Sequence, residues 1–199
     1  MIVIDVGNTS VVIGIYFKKK LKNVFRLNTE KNKIKSKKIF TKFFKSQNKF
    51  FLNSDKKICV ISSVVPSINS IIKNYFIKNK YKFYVVNPKK IPFNIKINYN
   101  LNQIGSDRIA NYISIYNKRI KNCIIIDFGT ATTFDVIKNK EYFGGLIFPG
   151  INLSIDTLIK NAELLKKSKI IKSKKIIGRN TVTSIQSGFY FGYLHLING

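Results

Sequence analysis

Tryptophan is absent, histidine occurs once, cysteine twice, and only nine of the 199 residues are acidic. The two cysteines, Cys59 and Cys123, each lie inside an apolar run, with no paired Cys or His spacing that would mark a zinc site. They are expected to be buried thiols on strands. No apolar run approaches the roughly 20 residues that span a bilayer. Asp5 stands where a signal peptide needs basic residues, so no export signal is read and the cytoplasm is the expected compartment. No helix-turn-helix, zinc-finger or RNA-binding signature is present either.

What is abundant is lysine. The net charge is +27, carried by 32 Lys against 4 Arg, in a chain also heavy in Ile and Asn. A/T-rich codons spell those residues, so the lysines read as a solvated surface and nucleic acid is not the expected partner. The 45% hydrophobic fraction supports a packed core. Against this drift the scarce residues are informative. Three of the six aspartates are Asp5, Asp107 and Asp127, and one of the four arginines is Arg108. An arginine kept where lysine is the easy spelling points to a planar, bidentate donor.

Two near-copies of one stretch organise the chain: Ile4-Asp5-Val6-Gly7-Asn8-Thr9 and Ile126-Asp127-Phe128-Gly129-Thr130-Ala131-Thr132. Each follows an apolar run and leads into another strand-like run. Repetition at this distance predicts two related halves rather than a solenoid. In such a turn glycine lets the backbone approach a ligand. Successive N–H groups can cradle an anion, and Asn or Thr side chains add donors. The carboxylate repels phosphate and would instead hold Mg²⁺, a monovalent cation or a water. The bland alternative is a pair of ordinary hairpin turns.

Strands are expected within 2–17, near 24–27, and at 58–61 and 82–86. Helices are expected around Ile39-Phe40-Phe43-Phe44, at 67–79, at 106–118, at 151–165 and beyond Asn180. Strands alternating with helices predict an α/β fold with parallel pairing in its core. Ser106, Asp107 and Arg108 fall at a helix N-terminus, where Ser or Asp can cap but a cation opposes the helix dipole. Arg108 therefore reads as positioned for a ligand. Gly144 to Gly150 permits close backbone approach, and 166–175 reads as a solvated linker.

These pieces resemble type III pantothenate kinase. The matching stretches are Asp5-Val6-Gly7-Asn8-Thr9, Ser62-Ser63-Val64-Val65-Pro66, Gly105-Ser106-Asp107-Arg108, Asp127-Phe128-Gly129-Thr130-Ala131-Thr132-Thr133, Gly144-Gly145-Leu146-Ile147-Phe148-Pro149-Gly150 and Gly178-Arg179-Asn180-Thr181. They occur in the family's order over nearly the whole chain. The resemblance implies a duplicated ribonuclease-H-like (actin-like ATPase) fold, divided as 1–118 and an incomplete 119–199. It implies ATP, Mg²⁺ and K⁺ or ammonium, pantothenate as acceptor, and a homodimer. By the same resemblance Asp5, Val6, Gly7, Asn8, Thr9, Ser10, Val11 and Val12 form a phosphate loop and Thr130 contacts ATP. Asp127 binds the monovalent cation and Asp107 is the general base. Tyr99, Gly105, Ser106, Asp107, Arg108 and Thr181 line the pantothenate pocket. An independent chemical reading agrees, because phosphoryl transfer needs positioning, charge neutralisation and a carboxylate near the attacking hydroxyl.

The sequence departs from the family in two places. Leu164-Leu165 stands where the family has Leu-Pro. The family's Thr-Gly-Gly segment, which helps enclose adenosine, would lie beyond Gly199. Weaker nucleotide binding and a partly open second domain are the corresponding expectations. Two competing readings are a non-catalytic regulator or degenerate remnant on the same scaffold, and another small-molecule kinase or phosphatase of the superfamily.

Overall fold

The computed structural model describes residues 1–52, 56–91, 95–116, 118–165 and 171–199. Five strands form the first sheet: β1 (Ile2–Val6), β2 (Ser10–Phe17), β3 (Lys20–Asn28), β4 (Ile58–Ser63) and β5 (Lys82–Val85), in spatial order β3-β2-β1-β4-β5. Pairing is antiparallel through β1-β2-β3 and parallel through β1-β4-β5. Side chains alternate across each strand, and the register aligns one apolar face. Ile2, Ile4 and Val6 sit opposite Ile15, Ile13 and Val11 on one side, and Ile2 and Ile4 sit opposite Cys59 and Ile61 on the other. All of these are buried.

Helices α1 (Lys33–Ser46), α2 (Asn48–Leu52) and α3 (Pro66–Lys78) supply the rest of this core. Asn32 starts α1 by accepting from the N–H groups of Ile34 and Lys35. Proline at the first position starts α3 without losing a hydrogen bond. Phe40 and Phe44 on α1, with Ile68, Ile72 and Phe76 on α3, follow the four-residue helical stripe. Ile39, expected on the apolar face of α1, is instead 40% exposed. Phe44 stacks on Tyr75 at 4.2 Å and meets Phe76 edge-on at 5.4 Å. Burying each such ring stabilises the fold by roughly 1.5–3 kcal/mol.

Three strands form the second sheet: β6 (Cys123–Phe128), β7 (Ala131–Lys138) and β8 (Glu141–Pro149), in that order. Strand, Asp-x-Gly turn, strand, tight turn, strand is the pattern of β1-β2-β3 repeated, as the sequence repeat predicts. The segment from Gly144 to Pro149 is thus the latter part of β8. Helices α4 (Ser106–Tyr116), α5 (Ile151–Asn161) and α6 (Thr181–Asn198) complete the described elements. Helix α5 stops four residues short of the expected 165. The expected helix end near 118 and the linker 166–175 fall partly on residues outside the described ones.

The chain divides into two compact units, Met1–Ile125 with Phe134–Leu146, and Ile126–Thr133 with Ile147–Gly199. The first unit has a second core cluster, where Ile104, Ile109, Tyr112, Ile137 and Tyr142 pack together. Cys59 is buried, and burial pushes its thiol from the ordinary 9.0 up to about 12. It therefore stays neutral at physiological pH. Because the folded value is the raised one, its linked stability is intact below about 9 and declines as pH rises above that. Cys123, expected to be buried, is only half-buried.

The β2–β3 and β7–β8 connections turn through two residues with positive φ, Lys18 (46°) and Lys19 (65°), then Asn139 (50°) and Lys140 (63°). This is the mirror-image turn that matches strand twist, and it favours Asn-Gly. An L-residue there costs roughly 1–2 kcal/mol, which glycine avoids at some entropic cost. Lys19→Gly is expected to raise stability by about 0.5–1 kcal/mol, read as a higher urea midpoint. A lower midpoint would contradict this account of the turn.

Candidate active site

The first Asp turn grows from the centre of the five-stranded sheet. Asp5 points away from the buried Ile4 and Val6 and is exposed. Its register partners are Val12 and Ser62. The turn itself is tied from both flanks. Gly7 N–H donates to the Ser10 carbonyl at 3.0 Å, and Thr29 Oγ1 donates to the Gly7 carbonyl at 2.7 Å. Arg26 Nη1 donates to Ser10 Oγ at 2.8 Å, and Val64 N–H donates to the Val6 carbonyl at 3.0 Å. Asn8 and Thr9 lie exposed at the crest. The result is a short glycine-bearing loop, braced underneath, with a carboxylate at its base.

Asp107 is brought to the same end of the sheet. Ser106 Oγ accepts the Ser63 N–H at 2.8 Å and donates to the Ser63 carbonyl at 2.9 Å. It also lies 3.4 Å from the hydroxyl of Ser62, the register partner of Asp5. The expected serine cap is thus spent on β4 instead, fastening the start of α4 to the strand beside Asp5. Gly105 belongs to this arrangement, since a Cβ there would stand 2.3 Å from Asp107 Oδ1. Asp107 is half-buried while its neighbours Ser106 and Arg108 are buried.

Arg108 does not present an open fork. It is 5% exposed, and its Nε donates to Asp135 Oδ1 at 2.7 Å. Nη2 lies 2.6 Å from the same oxygen, an ion pair whose angle falls short of a directed hydrogen bond. Tyr142 also donates to that oxygen, at 2.6 Å. The guanidinium lies 5.6 Å from the Tyr99 ring centre and 5.9 Å from that of Tyr142. Burial works against its charge. The hydrogen bond and charge of Asp135, with help from Tyr142 and Tyr99, outweigh that and raise its pKa. Burial, reinforced by Asp135, likewise raises the Tyr142 hydroxyl well above its ordinary value, keeping it a donor. An arginine explained from sequence by a ligand thus has an internal partner 27 residues away.

The second Asp turn, in the second unit, is built alike. Asp127, Gly129 and Thr130 are exposed, and Gly129 N–H donates to the Ala131 carbonyl at 2.9 Å. Gly150, which precedes α5, donates to the Thr130 carbonyl at 2.9 Å. A Cβ at Gly150 would stand 2.2 Å from the Gly129 oxygen and 2.6 Å from the Thr130 oxygen. Glycine is required there for space, since its φ of −69° is ordinary. Thr181 is exposed at the start of α6, whose Asn180 forms a reciprocal cap with Thr183. It borders an open apolar groove of about 900 Å³ lined by Phe148, Leu158, Ile185, Phe189 and Tyr193 among others.

Among the described residues no three His, Cys, Asp or Glu side chains cluster as a ready metal cage. An exposed Asp at each glycine turn suits Mg²⁺, which takes one or two carboxylates together with phosphate oxygens and waters. Asp135 and Tyr142 were not singled out from sequence. A charged residue at a core-facing strand position, in a chain with six aspartates, was the available signal.

A family model described as type III pantothenate kinase matches residues 1–199. A type III pantothenate kinase of Citrifermentans bemidjiense is 39% identical, over all of this chain and 79% of its own length. One from Pelagibacter ubique is 40% identical, over all of this chain and 78% of its own. Among solved structures, a Campylobacter jejuni protein described as a conserved Baf family transcriptional activator aligns with a TM-score of 0.60. That match covers the whole chain and 78% of the other, at 21% identity, which speaks to fold alone.

Proposed function

The chain belongs to the type III pantothenate kinase family, enzymes that phosphorylate pantothenate in coenzyme A biosynthesis, and on that premise we propose how its residues divide the work. Its fold is the actin-like, ribonuclease-H-like α/β fold of that family, and it is a kinase that uses ATP. Asp107 is the general base. It orients the primary hydroxyl of pantothenate and accepts its proton as the oxygen attacks the γ-phosphorus, while the bond from that phosphorus to the bridging oxygen breaks and ADP leaves. Within the loop from Asp5 to Val12, the crest at Asn8 and Thr9, with Ser10 beside it, receives the phosphates, and Thr130 contacts ATP. Tyr99, Gly105, Ser106, Arg108 and Thr181 form the pantothenate site with Asp107. Arg108 contributes there by what it holds in place. Asp127 would hold the monovalent cation and Asp5 would hold Mg²⁺, and these ions would supply neutralisation of phosphate charge.

The observation that supports this reading most is the Ser62–Ser106–Ser63 junction, which sets Asp107 beside the Asp5 loop. For in-line transfer the base and the phosphate loop must reach the same phosphoryl group and acceptor oxygen. The test is ADP release with and without pantothenate, with the phosphorylated product identified by mass. Release that requires pantothenate is the expected result; turnover indifferent to pantothenate contradicts the reading.

A homodimer is the proposed assembly, in the cytoplasm where ATP is available. The second unit exposes Ile147 (63%) and Phe148 (46%), and a second copy would cover such apolar surface. Sedimentation velocity is expected to give twice the 22.9 kDa chain mass; a concentration-independent monomer speaks against it. Among the described residues no helix is long and apolar enough to cross a membrane.

A further inference from the structure

We propose that Asp135 is a positioning residue for Asp107: by holding the Arg108 guanidinium it fixes the first turn of α4, and with it the direction of the Asp107 carboxylate. This rests on the reading of Asp107 as general base.

Three consecutive residues make up the latch. Ser106 is fastened to both backbone groups of Ser63 on β4. Arg108 is fastened to Asp135 on β7, through Nε at 2.7 Å and Nη2 at 2.6 Å. Asp107 lies between them and is the half-exposed member of the three. Successive helix residues point about 100° apart. Anchoring the residues on either side therefore sets both the rotation and the height of the turn, and Asp107 has no separate freedom of backbone direction. The anchor at Asp135 is itself braced. Tyr142 donates to the same Oδ1 at 2.6 Å, and the Tyr99 and Tyr142 rings flank the guanidinium. Gly145 leaves the room, since a Cβ there would stand 3.1 Å from Nη2.

Stability alone does not account for this pair. Taking a carboxylate and a guanidinium out of water is costly, and apolar residues of similar volume often serve the fold as well or better. Here Asp135 is fully buried, yet among the described residues its Oδ2 and the Arg108 Nη2 find no hydrogen-bond partner. The pair is a directional device, and α4 begins at its far end.

The test uses two variants of the whole chain, Asp135→Asn and the apolar pair Arg108→Met with Asp135→Leu. The readouts are kcat, both KM values, thermal stability, and amide hydrogen exchange at residues 106–109. Asp135→Asn is expected to lower kcat about 10- to 100-fold, the cost of a small misplacement at the reacting centre. Both KM values should stay near parental, and exchange at 106–109 should rise. The apolar pair is expected to recover thermal stability but keep the low kcat. Parental kcat in the apolar pair overturns the proposal, because it reduces the ion pair to packing. A raised KM for pantothenate with kcat intact also overturns it, by assigning the pair to substrate grip. Unchanged exchange at 106–109 in the folded variants overturns it whatever the rates. Should Asp135→Asn fail to fold, the apolar pair alone decides. If the parent does not turn over pantothenate, the functional reading fails separately, and hydrogen exchange still reports whether Asp135 fixes the turn.

Discussion

Asp107→Asn is expected to lower kcat by about 10²–10⁴-fold, the usual contribution of general-base catalysis, while leaving the thermal midpoint near parental. Asparagine keeps the shape and can still accept the Arg108 N–H that Asp107 Oδ1 takes at 2.8 Å. The residue is half-buried, so no cavity forms and no charge is stranded. The loss is therefore one of proton acceptance. ATP affinity should change little, because the phosphate loop is braced by Ser10, Thr29 and Val64 independently of Asp107. Steady-state kinetics and a nucleotide titration check both halves. A variant with parental kcat removes Asp107 from the chemistry, and one that loses ATP binding means that its charge shapes the loop.

Gly145→Ala is expected to have the largest effect on stability. A Cβ there would stand 1.7 Å from the Phe134 oxygen and 2.8 Å from its carbonyl carbon. These are backbone atoms of β7, so no flexible side chain can yield. The pairing of β7 with β8 must open locally, next to Asp135 and Arg108. We expect a loss of about 3 kcal/mol or more, beyond the usual range for overpacking because backbone has to move. Urea denaturation of parent and variant measures it. A shift under about 0.5 kcal/mol, the scale of an ordinary surface substitution, would mean the strand slides past the extra methyl.

The duplicated Asp-x-Gly turn was legible in the sequence because each copy is local: a β-branched run, a turn residue, another run. The helical stripe through Phe40 and Phe44 on α1, and that through Ile68, Ile72 and Phe76 on α3, was legible for the same reason. What pairs across the fold was not. Arg108 and Asp135 are far apart in the chain, and nothing in the residues around Arg108 announces its partner. Ser106 looked like a cap because serine commonly is one; tertiary contact with Ser63 outbid that local role. The two lysines at positive φ in the β2–β3 turn hid a hairpin turn usually spelled Asn-Gly. Nor did the glycines of 144–150 announce a strand; Gly144 lies in β8 with a φ of 112° and the Tyr99 ring 3.2 Å from where its Cβ would be.

The most direct test is a structure of the protein with a non-hydrolysable ATP analogue and pantothenate bound together. The prediction is a pantothenate primary hydroxyl within about 2.6–3.2 Å of an Asp107 carboxylate oxygen, with phosphate oxygens on the N–H groups of the loop that follows Asp5. Pantothenate seated with its hydroxyl away from Asp107, or phosphates bound clear of that loop, would contradict the account.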